Sequence, residues 1–271
     1  MSRLATCFQS LKQQSRTALI PFVTAGDPEP EATVAIMHTL VEAGADIIEL
    51  GIPFSDPMAE GPVIQRASER ALKHNVSLLN VLDMVRTFRQ DNTDTPVVLM
   101  GYLNPIEVMG YRVFANAASK AGADGVITVD LPPEEGMDYY DALTAVRLDP
   151  VYLLAPTSTT GRIASICEQA RGFVYYVSLK GVTGAASLDV AAVTEKLALI
   201  RRHTNKPVGV GFGIKDANTA AQMAAIADAV VIGSALVALV ETYGEDEVVL
   251  HKEIKGFISA IRAAMDAVVK T

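Results

Sequence analysis

Eight short runs, apolar on both faces, recur along the chain at 18–24, 46–50, 96–101, 125–129, 150–154, 173–177, 207–210 and 229–232. Between them lie Ala-rich stretches at 31–43, 77–89, 111–121, 162–169, 190–202 and 218–225, whose apolar residues return every three or four positions. The first pattern predicts strands buried on both sides, and the second predicts amphipathic helices that cover them. Such alternation makes a parallel sheet, and eight units close into an α/β fold of the (β/α)8 TIM-barrel type. A doubly wound open sheet is the alternative for the same pattern. An extra N-terminal helix at 3–15 and another helix at 248–268 complete the layout.

The phrase Ala-Gly-Ala-Asp occurs at 43–46 and again at 121–124, each time where a helix gives way to a strand. Glycine is the expected helix stop there, so the echo reports repeated architecture and marks no site. A length of 271 residues suits one barrel, although length alone would allow two domains. No linker or low-complexity segment divides the chain, and one domain over 1–271 is expected.

Half of the residues are hydrophobic and a fifth are charged, enough for a large core. A net charge of −8 argues against nucleic-acid binding, which needs a basic face. The paired Arg201-Arg202 reads as a solvated helix end. The apolar stretch 227–240 is broken by Asp228, Gly233 and Ser234 and is too short to span a bilayer. Cys7 and Cys167 have no zinc or CxxC spacing and read as thiols of a reducing compartment. The first sixteen residues carry no signal-peptide apolar region, so a soluble cytoplasmic protein with no membrane partner is expected.

In a barrel of this type, function gathers at the C-terminal ends of the strands. There the chain places Glu49, followed by a Pro/Gly-rich loop with Asp56 and Glu60 that closes at Gly61-Pro62 into a helix start. An acid at a strand end with a second acid on the adjoining loop is a candidate general acid/base pair. Glu49 would point to the mouth among Phe22, Tyr102 and Tyr175, where desolvation raises a carboxyl pKa. A structural ion pair is the alternative, but no Lys or Arg stands at a neighbouring strand end. Asp56 and Glu60 could equally be solvated loop acids. Asp27 and Asp130, close before prolines, read as turn or helix-start residues.

Glycine-rich turns follow the sixth strand (Gly181-Val182-Thr183-Gly184), the seventh (Gly211-Phe212-Gly213) and the eighth (Gly233-Ser234). Each alone could be a tight turn. Three in succession point to a phosphorylated ligand, held by backbone N–H groups and a helix N-terminus. No lysine stands at a strand end, Lys180 lying one loop residue beyond, which argues against an imine mechanism. His38, His74, His203 and His251 fall on helices or their ends and suit no metal site at the mouth. Proton transfer by carboxylates, with Tyr175 as a further candidate, is what remains.

The segments PFVTAGDP (21–28), ELGIPFSDPMAEGPVIQ (49–65), MGYLNP (100–105), VDLPPEE (129–135), LAPTST (154–159), GFVYYVS (172–178), GVTG (181–184), GFGI (211–214) and VIGSA (231–235) resemble, in order, the tryptophan synthase α subunit. The second segment and GVTG are specific to that family, while the glycine turns are shared by many phosphate-binding barrels. The resemblance implies retro-aldol cleavage of indole-3-glycerol phosphate to indole and glyceraldehyde 3-phosphate. It gives Glu49 the proton transfers and makes the second acid, Glu60, the partner of the indole N–H. It implies an indole pocket of Phe22, Met100, Tyr102, Ile127 and Tyr175, with Thr183 as a lid residue bonded to the second acid. Phosphate contacts fall on Gly184, Phe212, Gly213, Gly233 and Ser234.

By the same resemblance the chain pairs with a β subunit in an α2β2 assembly, through mouth-side loops near Asp56, Asn104 and Pro132. Pyridoxal phosphate is then expected only in that partner, with no cofactor or metal in this chain. A lid at 178–189 could couple the two sites. The chain departs from the family where Asp is expected: Glu60 carries its carboxylate about 1.5 Å further out. Leu179-Lys180 also stands where the family has Arg-Ala. The Glu60 departure leaves open a subunit that mainly activates β, and a different phosphate-binding barrel remains a weaker alternative.

Overall fold

A computed structural model describes residues 2–178, 189–211 and 213–268. The strands are β1 (Ala18–Thr24), β2 (Ile48–Gly51), β3 (Val97–Gly101), β4 (Gly125–Thr128), β5 (Asp149–Pro150), β6 (Tyr152–Leu154), β7 (Val174–Val177), β8 (Val208–Gly211) and β9 (Ala229–Ile232). The helices are α1 (Arg3–Gln13), α2 (Ala32–Glu42), α3 (Pro62–Lys73), α4 (Leu78–Asp91), α5 (Leu103–Met109) and α6 (Tyr111–Ala121). They continue with α7 (Met137–Ala145), α8 (Thr160–Gln169), α9 (Val190–Arg201), α10 (Ala217–Ala224), α11 (Ser234–Tyr243) and α12 (Glu247–Asp266).

All eight strand pairings are parallel, in the order β5-β4-β3-β2-β1-β9-β8-β7-β6. β5 and β6 are two parts of the expected fifth strand, separated by Val151, whose N–H donates to Val126 O at 3.0 Å. The ring therefore closes through that split strand, and the open-sheet alternative falls. The seventh and eighth expected strands are β8 and β9.

The apolar alternation resolves into two packing layers. Outward residues such as Leu19, Val23, Leu50 and Leu99 pack under the helices. Inward residues such as Ile20, Ile47, Val98, Ile127 and Val231 fill the barrel. The extra N-terminal helix closes the bottom: Leu4, Phe8 and Leu11 join the inner cluster, and the Phe8 ring lies 5.6 Å from that of Phe173. This inner layer leaves the mouth end for the site.

Both Ala-Gly-Ala-Asp echoes behave as expected at the helix stop, with Gly44 and Gly122 at positive φ. Their aspartates do more than the sequence suggested. Asp46 accepts from Leu19 N–H at 2.8 Å and Asp124 from Val97 N–H at 2.9 Å. Asp46 also pairs with Arg262, and Asp124 with Arg89 and Arg3. Asp228 repeats the device on Val208 N–H and Arg201, so Arg201 is an ion-pair partner and not merely a solvated helix end. These bottom-face carboxylates satisfy strand N–H groups and belong to stability.

Candidate active site

Glu49 lies inside β2, two residues before its end, because pairing continues through Gly51 to Thr24 and Met100. It stands beside Phe22 on β1 and Val98 on β3. Only 1% of the residue is exposed, and Oε2 has no hydrogen-bond partner among the described residues. No basic side chain pairs with it among the described residues. Burial, and then the charge of Glu60, push the Glu49 carboxyl up to about 8.

Glu60 approaches from the loop after β2. Gly61 caps α3 and Pro62 opens it, as the sequence suggested, so the acid sits directly before a helix. The loop is pinned at several points. Ala59 N–H donates to Tyr102 Oη at 2.9 Å, and the Tyr102 ring stacks on Phe54 at 5.0 Å. Glu60 N–H donates to Pro57 O at 3.0 Å, and Gln65 Nε2 donates to Glu60 O at 2.9 Å. Burial alone lifts the Glu60 carboxyl to about 7.

Both acids line one cavity of about 1130 Å³, together with Phe22, Met100 and Tyr175. Tyr175 can lie flat against β8 because residue 211 is glycine: a Cβ there would fall 2.2 Å from Tyr175 Oη. Burial and the two acids hold the Tyr175 hydroxyl well above its usual range, so it stays protonated and does not act as a base. Two expected pocket residues are not among those lining the main cavity. Tyr102 lines a small pocket that adjoins it, and its hydroxyl accepts from the loop at Ala59 N–H. Ile127 is fully buried in the barrel interior and is not among the residues lining the main cavity. Sequence reading missed the apolar wall of Ile64, Val129 and Leu153. Val129 and Leu153 were legible from strand alternation, but Ile64 arrives over the mouth on α3 and gave no strand signal.

The far side of the cavity carries Gly213, Gly233 and Ser234. Gly213 has φ +74°. Gly233 caps α11, and its carbonyl already accepts from Leu236 and Val237 N–H. The N–H groups of Ser234 and Ala235 thus lie outside the helix's own bonding and suit an anion. Thr183, Gly184 and Phe212, with the rest of the expected lid at 179–188, lie outside the described residues.

The remaining acids separate by environment. Asp56 is exposed and bonded to Ser55. Asp130 accepts from Leu103 N–H at 2.9 Å, a helix-start role as expected, although for α5. Asp27 lies in a turn but is buried against Arg70 in a two-point ion pair that the local sequence did not announce. The four histidines lie on or beside helices, and among the described residues no cluster of His, Cys, Asp and Glu could hold a metal ion. Both cysteines are free, and no helix among the described residues is long and apolar enough to cross a membrane.

This arrangement can be set against known proteins. A family profile described as "Tryptophan synthase alpha chain" matches residues 8–266. The tryptophan synthase alpha chain of Thioalkalivibrio sulfidiphilus is 60% identical over 266 residues, covering 98% of this chain and all of that one. That of Cupriavidus taiwanensis is 59% identical over 267 residues, again with 98% and 100% coverage. The crystal structure of tryptophan synthase subunit alpha from Legionella pneumophila superposes with a TM-score of 0.92 at 44% identity, covering 99% of this chain and 100% of that one. With profile, full-length relatives and fold in agreement, the chain belongs to the tryptophan synthase alpha chain family.

Proposed function

We propose that this chain is the lyase subunit of tryptophan biosynthesis that cleaves indole-3-glycerol phosphate into indole and glyceraldehyde 3-phosphate. One observation carries the reading: two carboxyl groups face a single cavity, both lifted toward neutrality, with Glu49 above Glu60. Near neutral pH the pair then holds one proton, and the form with that proton on Glu49 is the reactive one.

That is the state the reaction needs. Glu49 donates its proton to indole C3, which leaves positive charge on the ring. It then takes the proton of the side-chain hydroxyl as that oxygen becomes a carbonyl and the bond to C3 breaks, its electron pair returning to the ring. Ionised Glu60 accepts the indole N–H and offsets the ring's positive charge. Phe22, Met100 and Tyr175 wall the indole, with Ile127 as support below. Tyr102 acts chiefly by holding the loop of Glu60. Gly213, Gly233 and Ser234 take the phosphate, joined by Gly184 and Phe212, and Thr183 meets the second acid, on the family pattern.

The β subunit docks on the loops near Asp56, Asn104 and Pro132. These follow β2, β3 and β4, which are neighbours in the barrel. Of the large apolar side chains exposed on the same connections, the three most exposed are Met58 at 85%, Val108 at 84% and Met137 at 69%. Apolar side chains so exposed on adjacent connections suit a protein partner. Pyridoxal phosphate belongs to that partner. The whole of 1–271 is read as a single barrel domain working in the cytoplasm.

Indole release from indole-3-glycerol phosphate tests the reading, with wild type against Glu49→Gln, alone and with the β subunit. Release that depends on Glu49 supports it. No release by wild type, with activation of β intact, replaces it with a purely activating subunit.

A further inference from the structure

Next to the main cavity lies a second, small pocket of about 20 Å³. Glu60 lines both spaces, as do Phe22, Ile64 and Met100, and it is the one acid common to the two. Three polar side chains besides Glu60 reach the small pocket: Thr24 at the end of β1, Ser68 on α3 and Tyr102. The Tyr102 hydroxyl is already engaged with Ala59 N–H.

Thr24 is the odd member. Ile20 and Phe22 point into the barrel, and strand alternation puts Thr24 on that same face, one layer nearer the mouth. It is 3% exposed, and its Oγ1 is buried with no hydrogen-bond partner among the described residues. A buried hydroxyl without a partner is destabilising. Valine would fill the same volume at no such cost, so the hydroxyl points to a partner in the pocket it lines. One water molecule needs roughly 10–15 Å³ of such space and two or more polar neighbours, and this pocket offers both.

We propose that Thr24 is a positioning residue for the second acid: its hydroxyl and that of Ser68 hold one water molecule in the small pocket, and this water donates a hydrogen bond to the Glu60 carboxylate. The water steadies the longer glutamate arm at the reach the indole N–H requires. It also favours the ionised form of Glu60 over the protonated one. The inference rests on the reading of Glu60 as the second acid, and the test separates the two.

The pH dependence of kcat and KM for indole release is measured for wild type, Thr24→Val, Thr24→Ser and Glu60→Gln. The limb that disappears in Glu60→Gln reports Glu60. In Thr24→Val that limb moves to higher pH by roughly half to one unit, because the carboxylate has lost a donor. The same variant loses about tenfold in kcat, with KM within about twofold. Thr24→Ser, which keeps the hydroxyl, restores both. A limb that stays in place in Thr24→Val, whatever the rate, overturns the proposal while leaving the second-acid reading standing. A wild-type profile in Glu60→Gln removes both. Should Thr24→Val fail to fold, a crystal structure of the wild-type chain decides. An ordered water within about 2.6–3.2 Å of both Thr24 Oγ1 and a Glu60 carboxylate oxygen supports the proposal, and a pocket without one overturns it.

Discussion

Glu60 raises the pKa of Glu49: its charge is the second cause, after burial, that lifts the buried carboxyl to about 8. Glu60 itself sits at about 7. The pair therefore titrates as one system, and its macroscopic steps belong to both groups. The productive form has one proton, so kcat/KM for indole release should be bell-shaped, with its top between the two steps. Glu60→Gln removes the neighbouring charge and should bring the upper step of the remaining activity down in pH. An upper step that does not move would mean that Glu60's charge is not felt at Glu49.

Glu49→Gln should lower kcat by ~10²–10⁴, the usual worth of a positioned acid/base. The same substitution should stabilise the fold at alkaline pH. Glu49 has a folded-state pKa raised from 4.5 to about 8, so between those values the folded chain holds a proton that the unfolded chain releases. Its contribution is complete below about 4.5 and is lost as pH rises through about 8. Thermal unfolding of the variant should thus match wild type near pH 4.5 and exceed it by several degrees at pH 9. An equal difference at both pH values would show that Glu49 is not held neutral.

Glu60→Asp restores the residue expected in the family but withdraws the carboxylate by about 1.5 Å. The loop is pinned through Ala59 to Tyr102 and through Glu60 N–H to Pro57, so it cannot simply follow. A loss of roughly tenfold, and up to ~10², in kcat is expected. A gain of similar size would instead mean that the longer acid impairs the site.

Tyr102→Phe separates two roles for that ring. Phe keeps the stack on Phe54 and the apolar surface but removes the acceptor of Ala59 N–H. If Tyr102 holds the loop, kcat should fall roughly fivefold with KM little changed, the cost of a slightly misplaced acid. A rise in KM alone would return Tyr102 to the indole pocket.

How far the sequence could be read depended on how local each signal was. Strand alternation placed Glu49 in the barrel and gave the βα order, because a buried parallel sheet writes its period into every strand. The glycine turns placed Gly213, Gly233 and Ser234 on one cavity for the same reason. What escaped was non-local. The break at Val151 falls where the chain's pairing passes from β4 to β7. Ile127 and Tyr102 were assigned by motif, but depth in the barrel and the fold of the loop after β2 decided where they stand. Asp27 looked like a turn residue because its partner, Arg70, lies 43 positions away.

That last pair gives the final prediction. Asp27 is almost fully buried, and Arg70 meets it at 2.7 and 2.9 Å while also reaching Glu241. The pair ties α3, which begins just after Glu60, to the loop after β1 and to α11, which begins at Ser234. Arg70→Met strands the carboxylate, and breaking such a pair typically costs about 3–5 kcal/mol in urea unfolding. Arg66, more exposed and bonded to Glu241, should cost far less when changed to Ala. Burial already outweighs Arg70 at Asp27, whose carboxyl is raised. Without Arg70 it rises further, so the deficit should be small at low pH, where Asp27 is neutral, and grow as pH rises. Adding Asp27→Asn should recover part of the loss and flatten its pH dependence. A deficit equally large at low pH would show that Arg70 acts through its packing and not through Asp27's charge.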